Sequence, residues 1–328
     1  MPATHLRLLV LSLLLSSTAA AAPCLTAGPE CTEWVKLGSG SSRSMIYRTF
    51  ALTEKNAAIT RAMVMVHGAS RDADNYFRTS LAAAFLASAL EDTIVIAPRF
   101  ASNNGQGCKD KLGENELNWT CNGNSWRSGG PATNEKSLTS YDLMDDILKQ
   151  LANKEVFPNL KEIVVAGHSA GGQFVTRYEM ANLVHDKLGV PVTYVVSNPS
   201  SYAYLDSTRP ATEPIKCANY DNWPYGLKNR GGYTDRLTDE QLKQQIIARP
   251  VTYLLGEIDI LPLGGFDGSC PAMAQGPTRL ARGQAFRKYI DEKYGAKHKI
   301  QEVHLCGHNA RCMFTAEEAL PIIFPKAQ

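Results

Sequence analysis

The chain has 328 residues, with 34 lysines and arginines against 32 aspartates and glutamates and a formal net charge of +2. A balance this even provides no basic stripe for nucleic acid and no polybasic membrane anchor. The length is enough for one large domain with a substantial core and does not require two.

His5 and Arg7 open the chain, followed by an apolar stretch from Leu6 to Leu15, then Ser16-Ser17-Thr18 and a run of alanines to Ala22. This pattern predicts a secretory signal peptide over residues 1–22, with cleavage after Ala21 or Ala22. Its apolar part is too short to span a bilayer, and no later stretch reaches that length. The expectation is an exported protein, secreted or periplasmic, whose remaining residues 23–328 form a single domain.

Met45 to Leu52 reads as the first strand, and Ala62 to Val66 as a second, β-branched one that ends at His67-Gly68-Ala69-Ser70. A helix is predicted from Tyr76 to Leu90, and then a strand from Thr93 to Ala97 closed by Pro98. Residues 99–135 form a long stretch rich in Asn, Gly and Ser that carries Trp119 and Trp126. Leu138 to Leu151 is an amphipathic helix, Glu162 to Ala166 a strand, Gly172 to His185 helical, and Val192 to Ser197 a strand. A second long excursion covers 198–245. Val251 to Leu255 returns as a strand, Gly276 to Tyr294 as a helix, Lys299 to Leu305 as the last strand, and Thr315 to Phe324 as a final helix. Strands that alternate with helices predict an α/β fold, a parallel sheet covered on both faces.

Eight cysteines in an exported chain read as disulfides. Neighbours in sequence suggest Cys24 with Cys31, Cys108 with Cys121, Cys217 with Cys270 and Cys306 with Cys312, in stretches read as loops. The spacing Cys306-x-His308-x3-Cys312 also admits a metal site, but no fourth ligand is evident.

Chemistry concentrates at Gly167-His168-Ser169-Ala170-Gly171, between a predicted strand and a predicted helix. Gly-x-Ser-x-Gly in that context resembles the nucleophile elbow of the α/β-hydrolase family, against the simpler reading of a serine that caps a helix. Acyl transfer also needs a base within reach of the serine and a carboxylate to orient the base. In this family the acid and then the histidine follow the serine along the chain. Asp259, in Gly256-Glu257-Ile258-Asp259 after a strand, fits the acid, with Glu257 as its competitor. His308, in Gly307-His308-Asn309 after the last strand, fits the base. His67 and His168 precede the acid, and His298 and His304 lie before or within the last strand. A Cys306–Cys312 bond would restrain the loop that carries His308.

The resemblance, to exported serine esterases, runs from about Met45 to Phe324. It implies an eight-stranded, mostly parallel sheet flanked by helices, and this chain departs from it in two long disulfide-bearing loop insertions, 99–135 and 198–245. It also implies a Ser169–His308–Asp259 triad, an oxyanion hole from the amides of Ala170 and Ala69, with Ser70 as the alternative to Ala69, and an acyl-enzyme. Such chemistry requires no metal or organic cofactor, and the expected partner is a small-molecule or polymeric ester. The same triad can cleave amides, so a peptidase or amidase is the rival enzyme. A non-catalytic binding protein on this fold would usually have lost triad members, and all three are present. Trp119, Trp126 and Tyr202 are candidates to line the substrate cleft, with core packing as the alternative.

Overall fold

The computed structural model describes residues 22–105, 107–211 and 215–325. All of the predicted leader except Ala22 therefore lies outside the described residues. Eight strands form one sheet: β1 (Thr32–Lys36), β2 (Arg43–Arg48), β3 (Arg61–Val66), β4 (Thr93–Pro98), β5 (Glu162–His168), β6 (Val192–Ser197), β7 (Val251–Gly256) and β8 (Lys299–Val303). Their spatial order is β1-β2-β4-β3-β5-β6-β7-β8. β2 runs antiparallel to both β1 and β4, and every other pair is parallel. The fold is thus the α/β-hydrolase fold, with a mostly parallel eight-stranded sheet.

Each central strand is apolar almost throughout, as a strand buried on both faces must be. Alternate residues divide between two cores. Ala62, Val64 and Val66 of β3 and Ile163 and Val165 of β5 pack on one face against α2 (Ser140–Leu151), α3 (Ala170–Ala181), α4 (Asp239–Ala248) and α6 (Arg279–Tyr294). Met63, Met65, Val164 and Ala166 pack on the other against α1 (Ala73–Leu86), α7 (Ala310–Thr315) and α8 (Leu320–Ile323). A further short helix, α5, spans Cys270–Met273.

β3 lies between β4 and β5, so the chain reverses its direction of travel across the sheet at this point. Loops that leave the carboxyl ends of β3 and β5 therefore open a crevice, which is where ligands gather in sheets of this type.

Several elements differ from expectation. β1 goes unpredicted because it is a short edge strand in which only Val35 is buried, so its apolar pattern is weak. Part of the stretch read as the second excursion is helix α4, opened by a capping box between Thr238 and Gln241. The final helix expected from Thr315 to Phe324 is helical only over α8, and another short helix, α7, ends at its expected start. All four cysteine pairs form disulfides as expected, although Cys270 opens α5 and Cys312 lies within α7. Among the described residues no helix is long and apolar enough to cross a membrane.

Candidate active site

β5 ends at His168 and α3 begins at Ala170, so Ser169 alone makes the turn. Its φ of 59° and ψ of −117° are costly for a residue with a side chain, by about 1–3 kcal/mol. Glycines around it provide the room. A Cβ on Gly167 would lie 2.4 Å from the carbonyl of Gly171, and a Cβ on Gly171 would lie 2.1 Å from the carbonyl oxygen of Val66. Only hydrogen fits at either position, because β3, the turn and α3 pass in backbone contact. The Ser169 N–H donates to the Ser197 carbonyl at 2.9 Å, and its side chain makes no cap to α3.

The free hydroxyl meets His308 instead. Ser169 Oγ lies 2.9 Å from His308 Nε2, and His308 Nδ1 lies 2.8 Å from Asp259 Oδ2. A carboxylate accepts only, so Nδ1 carries the proton and Nε2 is left to accept from the serine. Asp259 is 2% exposed, in the turn after β7, where its N–H donates to the Gly256 carbonyl at 3.0 Å.

Two buried residues brace this row. Arg279, the first residue of α6, lies with Nη1 3.4 Å from Asp259 Oδ1, while its Nε donates to Ser200 Oγ at 2.7 Å and its Nη2 to the Leu263 carbonyl at 2.7 Å. Burial pushes its guanidinium below the ordinary arginine range, and Asp259 opposes that shift. Asn198 accepts from Gly256 N–H at 2.8 Å and donates to the Gly307 carbonyl at 3.2 Å, which ties the loop of Asp259 to the loop of His308. Neither residue is in a motif, so sequence offers little signal beyond the strand end at Ser197.

The loop after β3 faces the serine. His67 is fully buried, and its Nε2 accepts from Phe100 N–H at 3.1 Å. Nδ1 must then be the protonated nitrogen, and it donates to the Gly68 carbonyl at 2.9 Å. In a planar trans peptide the N–H of Ala69 points opposite to that carbonyl. His67 therefore fixes the direction of the Ala69 amide. Burial drives the His67 imidazole down to about 3, so it stays neutral in this role. Ala69 and Ser169 both line an open cleft of about 590 Å³, together with His308, Gly264, Tyr76 and His168. His168 lies against His308, its ring tilted by 37° with centroids 4.6 Å apart, and burial holds it well below the usual imidazole range, reinforced by His308 and Arg279. Ala170, buried at the first position of α3, has its amide at the positive end of the helix.

A family model for the alpha/beta hydrolase family matches residues 63–319, well over half of the chain. The chain belongs to the alpha/beta hydrolase family. No curated protein matches its sequence. Solved structures do. LpqC, a poly(3-hydroxybutyrate) depolymerase from Bordetella parapertussis, is 18% identical with a TM-score of 0.64, over 90% of this chain and 91% of that one. Poly(aspartic acid) hydrolase-1 from Sphingomonas sp. KT-1 is 21% identical with a TM-score of 0.60, over 86% of this chain and 94% of that one. At these identities the likeness is one of fold.

Within this alpha/beta hydrolase the three aromatic candidates for the cleft are displaced from it. Trp119, Trp126 and Tyr202 are 0%, 1% and 0% exposed. Trp126 stacks on Phe100 at 5.1 Å, Trp119 meets Phe100 edge-on at 5.7 Å, and Tyr202 stacks on Phe286 at 4.6 Å. The long loops fold back over the face of the sheet that α2, α3, α4 and α6 cover, and burying such rings in a core gains more than leaving them at a wet cleft. Ser200 and Ser201, beside Tyr202, are buried as well and accept from Arg279 and Arg177. Glu257, the competing acid, pairs with His304 at 2.8 Å on the surface. Cys306 and Cys312 are bonded to each other, so neither sulfur is free to hold a metal.

Proposed function

We propose that this hydrolase is an exported serine esterase that cleaves carboxylic esters, small or polymeric, through an acyl-enzyme. The observation that carries the reading is the unbroken row Ser169–His308–Asp259, with contacts of 2.9 and 2.8 Å, built on a serine held at a strained turn. His308 takes the Ser169 proton as Oγ attacks the ester carbonyl, and Asp259 holds the imidazole in the required tautomer and stabilises the cation that forms. The Ala69 and Ala170 amides receive the oxyanion, aided by the dipole of α3. His308 then protonates the leaving alcohol, which breaks the C–O bond, and water repeats the sequence on the acyl-enzyme. The sequence of residues 1–22 and the four disulfides support export.

A fluorophosphonate probe and a panel of matched esters and amides test this reading. Labelling of the wild type that Ser169→Ala abolishes, with esters cleaved and kcat lowered about 10⁶-fold in the variant, is expected. Labelling that survives Ser169→Ala would overturn the assignment, and amides cleaved faster than their esters would make the chain a peptidase or amidase.

A further inference from the structure

Among the described residues, half of the large apolar side chains that stand exposed sit together at one edge of the site. Ile258, Ile260, Leu261 and Leu263, from 48% to 59% exposed, lie on the segment between β7 and α5, and Leu305, 66% exposed, lies on the loop after β8. Backbone contacts join the two segments: Ile258 N–H donates to the Cys306 carbonyl at 3.1 Å, and Leu305 N–H to the Glu257 carboxylate at 3.0 Å. From Ile258 to Phe266 the only ionisable side chain is Asp259, which is buried. The lip thus presents an apolar face to solvent, bordered where its two segments meet by the surface pair of Glu257 and His304.

A single exposed leucine needs no explanation, but a contiguous patch does. This one is held out rather than left loose. Arg279 donates to the carbonyls of Leu263 and Gly264, and Arg282 donates to the carbonyl of Asp267. The lip also runs directly into the cleft. Gly264 and Gly265 line it, and a Cβ on Gly264 would lie 3.1 Å from His308 Cδ2. Any large body on the lip abuts the reacting centre, and a folded protein there would crowd the mouth of the cleft. Undissolved substrate is the occupant for which that position is productive.

We propose that the lip formed by Ile260, Leu261, Leu263 and Leu305 is an adsorption surface for an aggregated, water-insoluble aliphatic ester, and delivers chains from it to Ser169. The proposal rests on the esterase reading of that site. An apolar phase that covers Ile260, Leu261, Leu263 and Leu305 releases their hydration, and none of the four is itself an ionic group that the phase would strip of water.

Tributyrin, assayed both dissolved below its solubility limit and as an emulsion, separates the two readings. The paired variant Leu261→Ser/Leu263→Ser should keep the wild-type rate on dissolved tributyrin and melt at the wild-type temperature. It should adsorb to droplets and hydrolyse the emulsion at least tenfold less well. Ile260→Ser/Leu305→Ser should behave alike. Equal adsorption and equal emulsion rates in the wild type and both pairs would overturn the lip, as would a parallel loss on dissolved ester. A wild-type dimer in sedimentation that either pair dissociates would assign the lip to a second copy of the chain and overturn it too. Failure of the wild type to cleave tributyrin in either form would sink the esterase reading instead, while droplet adsorption would still report on the lip.

Discussion

Arg279 and Asp259 share a fully buried contact of 3.4 Å, made to the carboxylate oxygen that His308 does not use. The acid is therefore held from both sides, by a base in front and a guanidinium behind. The same guanidinium holds the carbonyls of Leu263 and Gly264, so one side chain sets both the acid and the segment beside the cleft.

Arg279→Met keeps most of the volume and removes the charge. Taking one partner from a buried ion pair costs about 3–5 kcal/mol, which urea unfolding will read. If Arg279 positions Asp259, kcat falls at least tenfold while KM changes little, and Arg279→Lys recovers part of both losses. A loss of stability with kcat intact would limit Arg279 to a structural role.

His67→Phe tests the aim of the Ala69 amide. His67 already packs against Phe100 and Trp126, so a phenyl ring suits the space but cannot hold the Gly68 carbonyl or the Phe100 N–H. Loss of a whole oxyanion donor costs about 10²- to 10³-fold. A misaimed donor should cost about 10- to 100-fold in kcat with KM nearly constant, in steady-state assays on a soluble ester. An unchanged kcat would show that the Ala69 amide is held without His67.

Trp126→Ala should act on stability and leave selectivity alone. The ring is buried among His67, Phe100 and Phe174, so truncation costs about 3–5 kcal/mol. Thermal unfolding measures that loss, and the ratio of rates on aromatic and aliphatic esters should stay at the wild-type value. A shift in that ratio would return Trp126 to the cleft.

Asp145 makes stability depend on pH. Burial raises its carboxyl to about 6, against the hydrogen bonds it accepts from Tyr178 and Tyr233. An unfolded aspartate titrates near 3.9, so between about pH 4 and 6 the folded chain binds more protons than the unfolded one. This contribution to stability is complete below pH 4 and is lost as pH rises through 6, a change of about 3 kcal/mol. Asp145→Asn abolishes that titration. Relative to the wild type it should be more stable at pH 8 than at pH 4 by about that amount in chemical unfolding. A difference independent of pH would mean that Asp145 ionises in the fold as it does in the open chain.

Central strands and their order of use are legible in the chain because a strand buried on both faces must be mostly apolar, and β3, β5, β6 and β7 are. Edge strand β1 is not, since half of it faces water and local preference alone does not mark it. The candidate site divides in the same way. Ser169 and Asp259 each follow an apolar run, His308 follows the last strand in a glycine-containing loop, and the glycines of the elbow announce a turn with no room for side chains.

Local rules of this kind, set by backbone sterics and burial, let the sequence by itself determine the fold class, while proximity along the chain suggested the disulfide partners and the strand ends pointed to the loops of the candidate site. Tertiary packing alone decided the rest. Arg279 sits 20 residues from Asp259, and Asn198 over 100 residues from Gly307, at distances no local pattern encodes. Trp119, Trp126 and Tyr202 read equally well as cleft or core, because an aromatic ring in a loop has the same sequence signature in both. Which way each loop folds across the sheet settles it, through long-range burial, and the same folding leaves Leu261 and Leu263 outside at the edge of the cleft.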